Sequence, residues 1–162
     1  MPGALFLAGG GSPDQSIQLD QAFVRYCRPS GPMLYIPTAL RTQPPESSLA
    51  WFRATMARYG ADNIEMCSDL EPMLSADRIS GLYIGGGDTL FLRQEMVRTH
   101  FDRFVQEVLA NGAPVYGGSA GAIVLGAFLG TSQPIDEVGQ GMTEGLGLVQ
   151  GYSVACHFED AK

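Results

Sequence analysis

The stretch Pro114-Val115-Tyr116-Gly117-Gly118-Ser119-Ala120-Gly121-Ala122 joins a short apolar run to a serine flanked by small residues. The run predicts a buried strand, and the apolar residues from 122 to 128 predict a buried helix. A turn this tight between strand and helix strains the serine backbone, so the positions two before and two after it must be small. Gly117 and Gly121 satisfy this requirement. The stretch predicts a nucleophile elbow at Ser119, although a glycine-rich turn before an ordinary core helix would give the same pattern.

Short apolar runs alternate with amphipathic segments along the whole chain, which is typical of βα units that build a parallel sheet. The predicted strands comprise residues 4–8, 33–36, 63–66, 81–84 and 114–116, and most are continuously apolar, as strands covered on both faces should be. The predicted helices comprise residues 16–27, 48–59, 89–96 and 100–109. Ser47 or Ser48 is the predicted cap of the second helix, and Asp88 that of the third. We therefore expect an α/β fold with three layers, a mostly parallel sheet covered by helices on both faces.

Composition limits the class of protein further. The 162 residues are 45% hydrophobic, which is enough for one sizeable core, and we expect a single domain over residues 1–162. A net charge of −7 and the lack of any Lys or Arg run disfavour nucleic acid or an anionic membrane as a partner. Three widely spaced cysteines favour a reducing, cytoplasmic setting over a disulfide framework. The apolar N-terminal stretch is too short for a signal peptide or a membrane span.

Metals and nucleotide cofactors are not indicated by any motif. His100 and His157 are the only histidines, and no cysteine cluster has metal-ligand spacing. The run Gly9-Gly10-Gly11-Ser12 lacks the G-x-G-x-x-G spacing of a dinucleotide-binding turn, and the Gly-Lys pair of a P-loop is absent. We predict no cofactor and no metal, and we interpret the Gly9 loop as a border of the active cleft.

Two further segments complete a predicted hydrolytic site. Gly85-Gly86-Gly87 follows a strand, at the edge of an α/β sheet where ligands bind, and we predict that the N–H groups of Gly87 and Ala120 form an oxyanion hole. His157 ends the apolar run 152–156, another predicted strand. It is the candidate general base, because a serine hydroxyl such as that of Ser119 is unreactive without one.

The other residues near these motifs are assigned by simpler arguments. His100 has charged neighbours and is predicted to be a surface residue. Cys156 precedes His157, and adjacent strand residues point to opposite faces, so we do not expect the two to work as a pair. The carboxylate that would orient the imidazole stays open between a residue beyond the chain end and five acidic residues: Asp136, Glu137, Glu144, Glu159 and Asp160.

Four motifs in one order resemble the peptidase E (aspartyl dipeptidase) and cyanophycinase family of serine peptidases. That family carries a Gly-Gly-Gly-(Asn or Asp)-Thr loop, a Gly-x-Ser-Ala-Gly-Ala elbow, a Gly-Leu segment and a strand ending in His-Phe. This chain has the matching residues at 85–89, 117–122, 145–148 and 157–158. The early stretch Tyr35-Ile36-Pro37-Thr38-Ala39 is also similar to a strand and loop of the family.

The resemblance implies a fold similar to class I glutamine amidotransferases, which is flavodoxin-like, with Ser119 as nucleophile and His157 as base. It also implies a small acidic peptide as substrate, cleaved after an aspartyl residue in a dipeptide or in the β-linked Asp-Arg polymer cyanophycin. Two departures stand out. Ser132 occupies the place of an Asp that follows the elbow in peptidase E, and the chain ends five residues after His157, where family members continue.

These departures lead us to expect a peptidase domain that lacks its C-terminal portion. They also keep alternatives open: a catalytically impaired member that acts as a binding module, or an esterase on the same scaffold. Whether the protein is a monomer or a homo-oligomer is left open by the sequence.

Overall fold

The computed structural model describes residues 1–131 and 142–157, and these form an α/β fold. The strands are β1 (Leu5–Ala8), β2 (Met33–Ile36), β3 (Ile64–Met66), β4 (Gly81–Ile84) and β5 (Val115–Gly118). The helices are α1 (Ile17–Tyr26), α2 (Pro45–Ala57), α3 (Thr89–Thr99), α4 (Phe101–Ala110) and α5 (Ala120–Leu125), with a short 3₁₀ helix at Ala76–Arg78.

The sheet has the strand order β1-β5-β4-β2-β3, and every pairing is parallel. Parallel strands end at one edge, so the loops that follow β1, β4 and β5 are brought together there. Since β5 lies between β1 and β4, the loop that carries Ser119 is flanked by the Gly9 loop and by the Gly85 loop.

Two buried clusters cover the two faces of the sheet. On one face, aromatic side chains from α1, α2 and the strands pack together, among them Phe23, Phe52, Tyr83 and Tyr116. On the other face, α3, α4 and α5 supply mostly aliphatic residues. The three-layer α/β prediction is confirmed.

Most predicted elements are present with shifted ends, and two predictions are wrong. Helix α2 begins at Pro45, whose fixed φ suits a first helical position, so neither Ser47 nor Ser48 caps it. Ser48 instead donates its hydroxyl hydrogen bond to the Pro45 carbonyl. Residues 152–156 form no strand. Their carbonyl groups bond to loop residues instead, as when Tyr152 accepts from the Ala127 amide.

The Asp88 and His100 predictions are confirmed. The Asp88 carboxylate accepts a hydrogen bond of 2.9 Å from the Phe91 amide and caps α3. His100 is exposed and has a left-handed φ of 58° where α3 meets α4. Within the described ranges no helix is both long and apolar enough to cross a membrane.

Candidate active site

Ser119 occupies a strained turn between β5 and α5. Its φ is 51° and its ψ is −111°, a combination that L-residues rarely adopt. The turn is fixed by its backbone: the Ser119 amide donates to the Ala8 carbonyl at 2.8 Å, and its carbonyl accepts from the Ile123 amide at 3.0 Å. The strain expected of a nucleophile elbow is therefore present.

The small residues around Ser119 are required by close backbone approaches. A Cβ on Gly117 would lie 2.6 Å from the carbonyl carbon of Gly121, and a Cβ on Gly121 would lie 2.2 Å from the Ile84 carbonyl oxygen. Real Cβ atoms do not come this close to backbone. The elbow thus packs directly on β4, and any larger residue at these two positions would push the strand and helix apart.

The imidazole of His157 lies beside the serine hydroxyl. The distance from Ser119 Oγ to His157 Nε2 is 3.0 Å, within the range for proton transfer to a general base. His157 is exposed, and its amide donates to the Gly9 carbonyl at 2.9 Å. A Cβ on Gly10 would lie 2.5 Å from the ring atom Cε1. The Gly9 loop therefore contacts His157 directly and helps to position it. The sequence alone predicted only that this loop borders the active cleft.

Free amides surround the elbow. In the described part of the chain, the N–H groups of Gly86, Gly87 and Ala120 donate to no acceptor. Gly86 lies nearest the serine, since a Cβ there would be 3.0 Å from Ser119 Cβ, whereas Gly87 packs against the Ala39 carbonyl. The predicted donor pair of Gly87 and Ala120 stays a prediction, and Gly86, which the sequence did not single out, is a third free donor.

Comparison with known proteins assigns this arrangement to a family. The model of peptidase family S51 matches residues 5–162. The chain belongs to this family. Two proteins named Peptidase E, from Shewanella sp. (strain W3-18-1) and from Shewanella putrefaciens, are each 30% identical over 99 residues. Those residues are 61% of this chain and 42% of each relative, so the match spans less than half the length of the relatives.

Solved structures are similar to the S51 chain in fold. A Listeria monocytogenes EGD-e protein described as a candidate peptidase E gives a TM-score of 0.68 at 23% identity, with 91% of this chain and 76% of that chain covered. A peptidase from an acI-B1 actinobacterium gives a TM-score of 0.72 at 23% identity, with 98% and 69% covered. At these identities the likeness establishes the shared fold.

None of the described residues of the S51 chain makes the contact with His157 that is expected of a third triad member. Over residues 1–131 and 142–157, no carboxylate forms a hydrogen bond or ion pair with the His157 ring. The Glu144 backbone carbonyl accepts from Arg93 Nε at 2.9 Å and its backbone pairs with Phe128, while its carboxylate forms no hydrogen bond with His157. The other four candidates lie outside the described residues: Asp136, Glu137, Glu159 and Asp160.

Cys156 contacts the elbow without competing for the histidine. Its thiol donates to the Ser119 carbonyl oxygen at 3.5 Å, and burial raises its pKa above the ordinary thiol value. A thiol held in its neutral form is a poor nucleophile. These contacts agree with the expectation that Cys156 and His157 do not work as a pair. The reason given for that expectation was wrong, because residues 152–156 do not form a strand.

Two cavities open beside the serine in this S51 chain, and Trp51 lines both. The larger has a volume of about 340 Å³ and reaches Gly86 from the side of Tyr35, Gln43 and Ser48. The smaller, of about 70 Å³, reaches Gly118 and Gly10 and has a carboxylate, that of Asp20, in its wall. The sequence did not single out Asp20, because its buried setting depends on a strand distant in the chain.

Proposed function

We propose that this S51 chain is a serine peptidase domain that hydrolyses small peptides after an aspartyl residue, through an acyl-enzyme on Ser119. The observation that carries the proposal is the 3.0 Å approach of Ser119 Oγ to His157 Nε2 at a strained elbow. A serine in an ordinary glycine-rich turn has no need of an imidazole at this distance. Family membership and the relatives named Peptidase E support the same chemistry.

The proposed reaction has the following steps, and the Ser119–His157 distance supports the first of them. His157 Nε2 takes the hydroxyl proton as Ser119 Oγ bonds to the scissile carbonyl carbon, and the carbonyl π electrons move to its oxygen. The N–H groups of Gly87 and Ala120 donate to that oxyanion. The C–N bond then breaks, the imidazolium proton passes to the leaving nitrogen, and an ester remains on Ser119. Water attacks this ester and gives a proton to His157, and the serine oxygen leaves with that proton.

Covalent labelling tests the nucleophile. A fluorophosphonate probe should label the purified full-length protein, and mass spectrometry should place the label on the peptide that contains Ser119. The matched control is Ser12→Ala, which removes the hydroxyl of another serine in a loop at the same sheet edge and should leave labelling unchanged. No label on the folded wild-type protein would refute the nucleophile assignment.

Substrate hydrolysis tests the aspartyl preference. We expect Asp-Leu to be cleaved faster than Asn-Leu and Ala-Leu, and Ser119→Ala to abolish cleavage of all three. Faster cleavage of β-aspartyl-arginine than of Asp-Leu would assign the chain to the cyanophycinase type instead. Faster cleavage of a matched aspartyl ester than of its amide is expected of any acyl-enzyme peptidase. An esterase would cleave the ester and leave every amide intact.

The second candidate is a binding module without catalysis. It is favoured by one observation, that no carboxylate of the described residues orients His157. An enzyme of this class loses several orders of magnitude in rate when the orienting acid is removed. A full-length protein that binds Asp-Leu, is not labelled by the fluorophosphonate and does not cleave the peptide would establish this second function.

A further inference from the structure

The smaller cavity beside the elbow is lined by residues from several strands and helices. Its volume is about 70 Å³, which is space for a few water-sized groups. Gly118, which lines the pocket, immediately precedes Ser119, and Gly10, which also lines it, lies against the His157 ring. A group bound in the pocket would therefore contact the immediate neighbours of Ser119 and His157, the two residues of the proposed peptidase site.

A buried carboxylate, Asp20, stands in the wall of this pocket. Asp20 is on the first turn of α1 and is only 2% exposed. The Ser16 hydroxyl donates to its Oδ2 at 2.9 Å, and the Tyr116 hydroxyl donates to its Oδ1 at 2.8 Å. Both hydrogen bonds hold the carboxylate in place, so its position does not depend on a ligand.

The charge of Asp20 has no counter-ion in the described residues. No Arg, Lys or His in residues 1–131 and 142–157 forms an ion pair with it. An ionised carboxylate can accept about four hydrogen bonds, and the side chain accepts two, both from neutral hydroxyls. Carboxylates this deeply buried are nearly always paired with a cation.

The remaining walls suit a small cation. The aromatic side chains of Trp51, Tyr83 and Tyr116 line the pocket together with glycine backbone, and no Arg, Lys or His is among its lining residues. Burial raises the pKa of both tyrosine hydroxyls, so they stay neutral, and the Tyr116 hydroxyl donates to Asp20. A hydrogen-bond donor that enters the pocket meets the free acceptor positions of Asp20.

We propose that Asp20 binds an ammonium group of the peptide substrate in this pocket, an inference that rests on the proposed peptidase function. The ammonium group is either the free N-terminus of the peptide or the amino group of a lysine-type side chain. A charge-assisted hydrogen bond to a desolvated carboxylate discriminates strongly against an uncharged analogue, which leaves the buried charge unpaired.

Calorimetric binding to the full-length Ser119→Ala variant tests the proposal without turnover. Asp-Leu should bind about 100-fold more tightly than N-acetyl-Asp-Leu, and Asp20→Asn in the same background should reduce that ratio to about one. If the side chain supplies the ammonium group, the Asp20-dependent ligand is N-acetyl-Asp-Lys, which keeps the aspartyl residue. Equal weakening of every ligand by Asp20→Asn, or no weakening of any, overturns the proposal.

Two controls separate a lost contact from a damaged fold. Thermal unfolding shows whether Asp20→Asn is folded. Ser16→Ala removes one hydroxyl donor and keeps the carboxylate, so it should retain the preference for the ammonium-bearing ligand, and loss of the preference there also overturns the proposal. Asp20-dependent binding in a wild-type protein that cleaves no peptide would refute the peptidase function alone. Cleavage without any ammonium preference would refute only the role of Asp20.

Discussion

Ser119 leaves a buried strand and enters a buried helix, whereas His157 follows residues 152–156, which have no regular secondary structure. All six residues of α5 are buried, and the elbow makes backbone contacts with β1 and β4. The segment before His157 is mostly exposed and is held by individual hydrogen bonds to the Gly9 loop and to residues 127 and 131.

The proposed nucleophile and its proposed base therefore have separate structural supports. The strain at Ser119 is tolerated because the surrounding core over-determines the backbone. The position of His157 depends on a few contacts at the surface, where local opening costs far less than global unfolding. We therefore expect changes near Ser119 to affect stability, and changes near His157 to affect activity.

Removing the proposed base, His157, should produce the largest effect. We expect His157→Ala to reduce kcat for Asp-Leu by about 10⁴-fold or more, because the serine hydroxyl loses its proton acceptor. The free energy of unfolding should change by less than about 1 kcal/mol, since the side chain is exposed. Steady-state kinetics and urea unfolding give the two quantities.

His100→Ala is the matched control for this substitution. His100 is also exposed, and its φ of 58° is close to the 54° of His157. It lies outside the site and should leave kcat unchanged. Equal losses of activity in the two variants would show that the effect comes from backbone strain and not from a lost base.

Crowding the elbow should produce the next largest effect, on stability. Alanine is favoured over glycine by about 1 kcal/mol inside a helix, but a Cβ on Gly121 would lie 2.2 Å from the Ile84 carbonyl oxygen. We expect Gly121→Ala to lower the free energy of unfolding by about 3 kcal/mol. Gly9→Ala, where the nearest atoms are at 3.9 Å, should cost less than about 1 kcal/mol. Urea unfolding that ranks the two variants in the opposite order would contradict the packing argument.

The elbow could be predicted from the sequence because the residues that shape its backbone are close together in the chain. Gly117 must be small because it contacts Gly121, and Gly121 must be small because it contacts β4. The pattern that reflects these contacts is therefore visible within nine residues. The strands were found for a similar reason. Strands β2 and β4 are buried on both faces, so their apolar runs give the observed bounds directly.

The features that the sequence did not give depend on distant partners. The apolar run 152–156 resembles a strand, but no described strand pairs with it and its backbone bonds to loops. Asp20 gains its buried position from Tyr116, which is 96 residues away in the chain. No local pattern distinguishes such an aspartate from the solvated carboxylates found on most helix surfaces.

Removing the cap of α3 should cost less than crowding the elbow. Helix α3 packs on α5, and the Asp88 carboxylate satisfies the Phe91 amide at its first turn. We expect Asp88→Ala to lower the free energy of unfolding by about 1 kcal/mol. Asp88→Asn keeps a capping oxygen and loses only the partly exposed ion pair with Arg41, so it should cost a few tenths of a kcal/mol. Equal losses in urea unfolding would assign the stabilisation to the ion pair.

The smallest predicted effect, that of Thr131→Val, tests most directly whether the elbow and the segment before His157 are supported independently. The Thr131 hydroxyl donates to the Val154 carbonyl and fixes the segment before His157. Thr131→Val keeps the side-chain shape and removes this hydrogen bond, which contributes about 1 kcal/mol. We expect amide hydrogen exchange at His157, whose N–H is bonded to Gly9, to become about five-fold faster. Exchange at Ile123, whose N–H is bonded to the Ser119 carbonyl, should stay unchanged. If both amides exchange faster by the same factor, the elbow and the histidine segment open as one unit, and the contrast between their supports is wrong.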